Sequence, residues 1–238
     1  MKVYQSLGLT LGLILTTIQP TFASISIGAS RIIFNADVSN KSVDINNRSQ
    51  NQPYLINVGI SRDIAGKSVD TPFIVAPTLF RIEPGTTNKV RIIKQSNSLP
   101  NDRESLFYFN SMVISTGKTE GTKNSSAVDG ALQVATGNTL KLFYRPGNLA
   151  ITQKEAMGKL QFTQDGKGTK VNNPTPYYIS LAKLNIDGKT VKLDVITGSS
   201  MIAPFSSYVY PVNAPRSKVE WKAINDFGGV ESFHGAIN

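Results

Sequence analysis

Apolar and polar residues alternate with a period of two along most of this chain. The pattern runs through SISIG (24–28), KSVDIN (41–46), YLINVGI (54–60), KVRII (89–93), LFYFNSMVI (106–114), GALQVAT (130–136) and TLKLFY (139–144). It resumes in KLQF (159–162), YYISLAKLNI (177–186), KTVKLDVI (189–196) and VEWKAI (219–224). Successive side chains on a strand point to opposite faces, so each run reads as a half-buried β-strand. No stretch of helical length carries an apolar stripe at i, i+3, i+4, and the chain is predicted to be all-β. Asp187-Gly188 between two alternating runs is a hairpin signal. Prolines 53, 77, 84, 100, 146, 174, 176, 204 and 211 punctuate the remaining segments. Short strands at this spacing point to immunoglobulin-like sandwiches of about a hundred residues each, so two are expected. The break at Arg145-Pro146-Gly147 divides them into residues 24–145 and 146–238. Residues 115–130, poor in apolar side chains, read as a mobile loop inside the first unit.

The N-terminus departs from the alternation. Lys2 precedes an apolar run from Leu7 to Ile18, and small residues at Thr21 and Ala23 follow it. This is the pattern of a secretory signal peptide spanning residues 1–23, cleaved before Ser24. The run is too short to cross about 30 Å of hydrocarbon, so no stable membrane insertion is expected. Lys2 is the only charged residue in that segment, so its removal lowers the formal net charge of +9 by one. The basic residues are scattered with no dense Lys/Arg block, which reads as a solvated surface that attracts acidic partners. Nucleic acid is not an expected partner of an exported chain.

Cysteine is absent, so core burial alone must hold the fold, and thiol chemistry is excluded. The single histidine, His234, lies near the chain end and is not expected to be catalytic; a histidine-rich metal site is ruled out. NRS at Asn47 and NSS at Asn124 match the short glycosylation acceptor pattern. Asp102 and Glu104 form the one acidic cluster outside the loop near Glu120, and they do not read as the facing pair that glycoside hydrolysis needs.

Several segments carry a resemblance to a known family. GASRIIFN (28–35), APTLFRIEPG (76–85), LPNDRESLFYFN (99–110), TLKLFYRP (139–146) and INDFGG (224–229) occur in this order. Together they resemble the periplasmic pilus chaperones of the chaperone-usher pathway, the PapD-like proteins. The resemblance implies a boomerang of two immunoglobulin-like domains with a cleft between them, located in the periplasm. Its partners would be pilin or fimbrial subunits and an outer-membrane usher. No enzyme activity, cofactor or metal is implied.

Residue roles follow from the same resemblance. Arg31 and Lys141 match the cleft cations that hold the subunit's terminal carboxylate. Arg145 matches an arginine that pairs with Glu104 and Asp226 to fix the domain angle. The strand before the cleft would donate Val128, Leu132, Val134 and Thr136 to the subunit's unfinished sandwich. Periodicity alone leaves open whether Leu132 and Val134 face the subunit or their own core. Gly137 also leaves the register open, since a glycine in a strand can mark a bulge. The alternative is an exported two-domain sandwich of another kind, a fibre subunit or a carbohydrate-binding module. A fibre subunit would lack both the KLFYRP strand and the second domain.

Overall fold

The structure, a computed structural model, describes residues 24–95, 98–115 and 135–238. Among these, the N-terminal half contains β1 (Ile25–Ile27), β2 (Ile32–Asn35), β3 (Asn40–Asn47), β4 (Tyr54–Ser61), β5 (Phe73–Ala76), β6 (Leu79–Ile82), β7 (Thr87–Lys94), β8 (Ser105–Ser115) and β9 (Ala135–Arg145). These strands make two sheets, in the orders β1-β3-β7-β5 and β2-β9-β8-β4-β6. All neighbours are antiparallel except β2 and β9. The alternation predicted from the sequence sorts the faces: Val43 and Ile45, Ile56 and Val58, Val90 and Ile92, Phe107 and Phe109 all point inward. Phe34, Phe73, Phe107 and Tyr144 form an aromatic group within this core, with Phe34–Phe73 and Phe73–Phe107 edge-to-face at 5.0 and 5.2 Å.

The C-terminal half contains α1 (Gln153–Met157), β10 (Gln161–Asp165), β11 (Gly168–Asn173), β12 (Ile179–Ile186), β13 (Lys189–Thr190), β14 (Met201–Ile202), β15 (Ser206–Tyr210), β16 (Lys218–Ile224) and β17 (Val230–Ala236). Its sheets run β10-β11-β15 and β13-β12-β16-β17, with β14 beside β12. A second, separate core gathers Val171, Ile179, Leu184, Val219 and Trp221 between them. The Trp221 ring packs on Phe162 and Phe233, and its Nε1–H donates to the Met157 carbonyl at 2.9 Å. Burial of each large apolar side chain is worth about 1.5–3 kcal/mol, and with no disulfide these two cores carry the fold.

The Asp187-Gly188 turn joins β12 to β13 with both residues at positive φ, 54° and 71°, the backbone a type I′ hairpin needs. Two expectations require correction. Of the predicted strand 189–196, only Lys189–Thr190 is a strand. Beyond it, Asp194 Oδ1 accepts from the Ile196 and Thr197 amides at 2.7 and 3.0 Å, and this local turn chemistry replaces a sheet ladder. Ile196 consequently stands in solvent, 87% exposed. A short helix, α1, also forms where none was predicted. Its start is a capping box, Thr152 with Glu155, and it buries Ala156 and Met157. Asn47 of the NRS pattern is buried, its side-chain amide donating to the carbonyls of Gln52 and Ile82, which makes it a structural residue. Asn124 and the predicted loop up to Gly130, apart from Ser115 at the end of β8, lie outside the described residues, as does the signal segment.

Candidate functional site

β9 is paired unequally along its two sides. Against β8 it is matched from Ala135↔Ile114 to Tyr144↔Ser105 without a shift, so Gly137 introduces no bulge. On the other side β2 pairs only with Leu142–Arg145. Among the described residues, 135–141 of β9 therefore present an unpaired backbone edge, and Thr136, Gly137, Asn138 and Thr139 are exposed. An unpaired strand edge is a row of backbone donors and acceptors suited to an added strand. Thr139 Oγ1–H donates to Asn110 Oδ1, and the Asn110 amide donates to Ser61 Oγ, which fixes polar side chains beside this edge. Thr136 lies on it; Val128, Leu132 and Val134 are outside the described residues.

Arg31 and Lys141 lie where the open edge meets β2. Each directly precedes the paired residues Ile32 and Leu142 of the parallel strands. Arg31 extends its guanidinium over the Phe143 ring, 5.9 Å from the centroid, and donates to the Ile224 carbonyl at 3.1 Å. Its Nε is buried without a hydrogen-bond partner, so the fork retains a donor. Burial lowers its pKa, while the charges of Asp226 and Glu104 oppose that shift. Lys141 is pushed down to about 8, first by burial and then by the Arg31 charge beside it. Neither cation has an ion-pair partner within 4 Å among the described residues. Two partly buried cations side by side repel each other, and an anion accepting from both would relieve the cost.

Arg145, at the end of β9, has its partners in place. Its Nε donates to Glu104 Oε1 at 2.8 Å, and its two terminal nitrogens donate to Asp226 Oδ2 and Oδ1 at 2.6 and 2.7 Å. The Arg145 side chain is 17% exposed and that of Glu104 2%. Burial works against the Arg145 charge, yet the hydrogen bonds and charges of Asp226 and Glu104 hold its pKa above the ordinary value. For Glu104 burial dominates and raises the carboxyl, opposed by Arg145 and by the Tyr178 amide.

The remaining contacts here were not anticipated from the sequence. The Tyr178 amide donates to Glu104 Oε2 at 2.9 Å, the Glu104 amide donates to the Pro176 carbonyl at 2.9 Å, and the Phe143 and Tyr178 rings meet at 5.7 Å. Arg145 also lies over the Tyr177 ring at 5.1 Å. The side chains of Glu104, Phe143, Arg145, Tyr177, Tyr178 and Asp226, with two backbone amides, thus bind the halves together behind the cations. Among the described residues, no group of three His, Cys, Asp or Glu is placed to hold a metal ion, and no helix is long and apolar enough to cross a membrane.

Comparison with known proteins bears on this geometry. Residues 24–150 match the model for the pili and flagellar-assembly chaperone PapD N-terminal domain, and residues 155–234 match that for the pili assembly chaperone PapD C-terminal domain. The probable fimbrial chaperone protein ElfD of Escherichia coli K12 is 35% identical over 208 residues, covering 86% of this chain and 82% of its own length. The crystal structure of the E. coli chaperone DraB superposes with a TM-score of 0.74 at 31% identity, covering 90% of this chain and 97% of that one. A Salmonella enterica structure, the SafA pilin in complex with the SafB chaperone, superposes with a TM-score of 0.73 at 28% identity, covering 92% of this chain and 98% of the matched chain.

Proposed function

This chain belongs to the PapD family of pili-assembly chaperones, and from that premise we propose that it holds fimbrial subunits on the open edge of β9, anchored by Arg31 and Lys141. It is a fimbrial chaperone. The observation that carries the site assignment is the meeting of an unpaired backbone edge with two cations that lack anions of their own.

The subunit's last strand adds alongside residues 135–141 and its terminal carboxylate accepts hydrogen bonds from Arg31 and Lys141. Each charge-assisted bond is worth about 1.5–3 kcal/mol, and the carboxylate also relieves the repulsion between the cations. The anchor fixes register. A slip of one residue, about 3.3 Å, would turn every side chain of the added strand to the wrong face. Val128, Leu132, Val134 and Thr136 then fill the subunit's unfinished sandwich and keep it from pairing prematurely with other subunits. The pairing of Arg145 with Glu104 and Asp226 sets the angle between the halves, so that the carboxylate meets both cations at once.

The chain works in the periplasm, residues 1–23 being removed on export, and it hands its subunit to an outer-membrane usher. No catalytic step or cofactor enters this reading. Hydrogen exchange on a chaperone–subunit complex tests it: open-edge amides within 135–141 should gain protection, whereas unchanged exchange along this edge would contradict the assignment.

A further inference from the structure

Phe227 is 95% exposed, a large aromatic surface left in solvent on a protein that otherwise buries most of its Phe residues. A lone apolar side chain on a surface ordinarily needs no explanation. This one differs in how firmly its backbone is held. In the turn between β16 and β17, Asn225 Oδ1 accepts from the Phe227 and Gly229 amides at 3.1 and 2.8 Å. The Asn225 amide donates to the Gly229 carbonyl at 2.8 Å, and the Gly228 amide donates to the Asn225 carbonyl at 3.0 Å. Gly228 has φ +85°, and a Cβ there would collide with the Ser30 hydroxyl of the other half. The turn is therefore seated on the residue preceding Arg31, with Asp226 tied to Arg145 on one side of Phe227.

This rigid turn places Phe227 at the wall of a groove of about 550 Å³ that it shares with Arg31, Ile33, Lys41 and Asp226. Arg31, whose Nη1 donates to the Ile224 carbonyl of the same hairpin, lines that groove. A ligand whose carboxylate is held by Arg31 must carry its terminal side chain within a few ångströms of that charge. Phe227 is the large exposed apolar group that the groove offers it.

We propose that Phe227 is a specificity residue of the subunit seat, packing against an apolar or aromatic side chain on the subunit's carboxy-terminal residue. The inference rests on the anchor reading above, and it adds a preference that the cations alone do not have. Arg31 and Lys141 accept any terminal carboxylate; Phe227 favours one that brings apolar surface to cover its ring. Burying the two side chains against each other is worth about a tenfold gain in affinity.

The test uses synthetic peptides of alternating valine and threonine. One ends in phenylalanine with a free carboxylate, the second in glycine with a free carboxylate, and the third in phenylalanine carboxamide. Their binding to the full chain is compared with that to Phe227→Ser, Phe227→Tyr and Arg31→Ala. Phe227→Ser should weaken the phenylalanine peptide about tenfold and leave the glycine peptide unchanged, while Phe227→Tyr restores the preference. Arg31→Ala should weaken both free-carboxylate peptides, and the carboxamide should bind poorly throughout. Equal effects of Phe227→Ser on both carboxylate peptides, with the Arg31 and carboxamide losses intact, would overturn the role of Phe227 and leave the anchor standing. Absence of those two losses would overturn the anchor, and this inference with it.

Discussion

Replacing Lys141 by Met should make the free protein more stable and the chaperone useless. Methionine keeps the length and apolar stem of the side chain while removing the charge that burial penalises. The lysine's pKa falls from its ordinary 10.5 to about 8, with burial the larger cause and the Arg31 charge the second. That difference corresponds to at most about 3 kcal/mol, and the remaining solvent contact reduces the expected gain at neutral pH to about 1–2 kcal/mol. The sign with pH follows from linkage. Below pH 8 both folded and unfolded lysine carry the proton, so the wild type bears the full penalty. Between about 8 and 10.5 the folded state sheds its proton while the unfolded state retains it, and wild-type stability rises relative to the variant. Above that window both states are neutral and the advantage of Met disappears. Urea unfolding of the two free proteins at pH 7, 9 and 10.5 checks this. Equal stability at pH 7, or a gap that stays open at pH 10.5, would refute the burial argument. Capture of subunits by the wild type should decline above pH 8, and Lys141→Met should not capture them at neutral pH.

Arg145→Ala leaves the 2%-exposed Glu104 carboxylate without its cation and should cost about 3–5 kcal/mol in chemical denaturation. Adding Glu104→Gln should recover part of that loss, and small-angle scattering should register a wider spread of angles between the halves in Arg145→Ala. Leu132→Glu or Val134→Glu should abolish fibre assembly while the unbound protein keeps its melting temperature; a variant that unfolds on its own would assign these side chains to the chaperone's core. Gly228→Ala, at φ +85° and against Ser30, should destabilise the β16–β17 turn by about 1–2 kcal/mol, and subunit binding should weaken with it.

The strand content was legible because each sandwich face is half buried, so burial writes itself into the sequence as alternation. The turn at Asp187-Gly188 was legible because positive φ at both positions selects those residue types. The segment 191–196 departs from its pattern: Val191 and Leu193 alternate like a strand, and the Val191 amide still donates to the Leu184 carbonyl of β12 at 2.8 Å, but beyond it Asp194 captures the amides of Ile196 and Thr197 and the ladder ends. The missed helix α1 had its signal in view, since Thr152-x-x-Glu155 is a capping box; at five residues it is too short to display an apolar stripe. Lys141 and Arg145 stood out as charges on an otherwise apolar strand. Their partners did not, because Glu104 is 41 and Asp226 81 residues from Arg145, and no periodicity relates positions that meet only after two domains have folded. Those assignments came from motif resemblance. The backbone contacts of Tyr178, Pro176 and Ile224 leave no trace in residue type at all, since any amide or carbonyl serves.

The central claim is that Arg31 and Lys141 together hold the subunit and that the chaperone folds without either charge. It is tested most directly by co-expressing a cognate fimbrial subunit with the double variant Arg31→Ala, Lys141→Ala and measuring intact subunit recovered from the periplasm. The account predicts a folded, exported chaperone and loss of the subunit to degradation or aggregation. Recovery of intact subunit at the wild-type level, bound to a double variant that has neither cation, would contradict it.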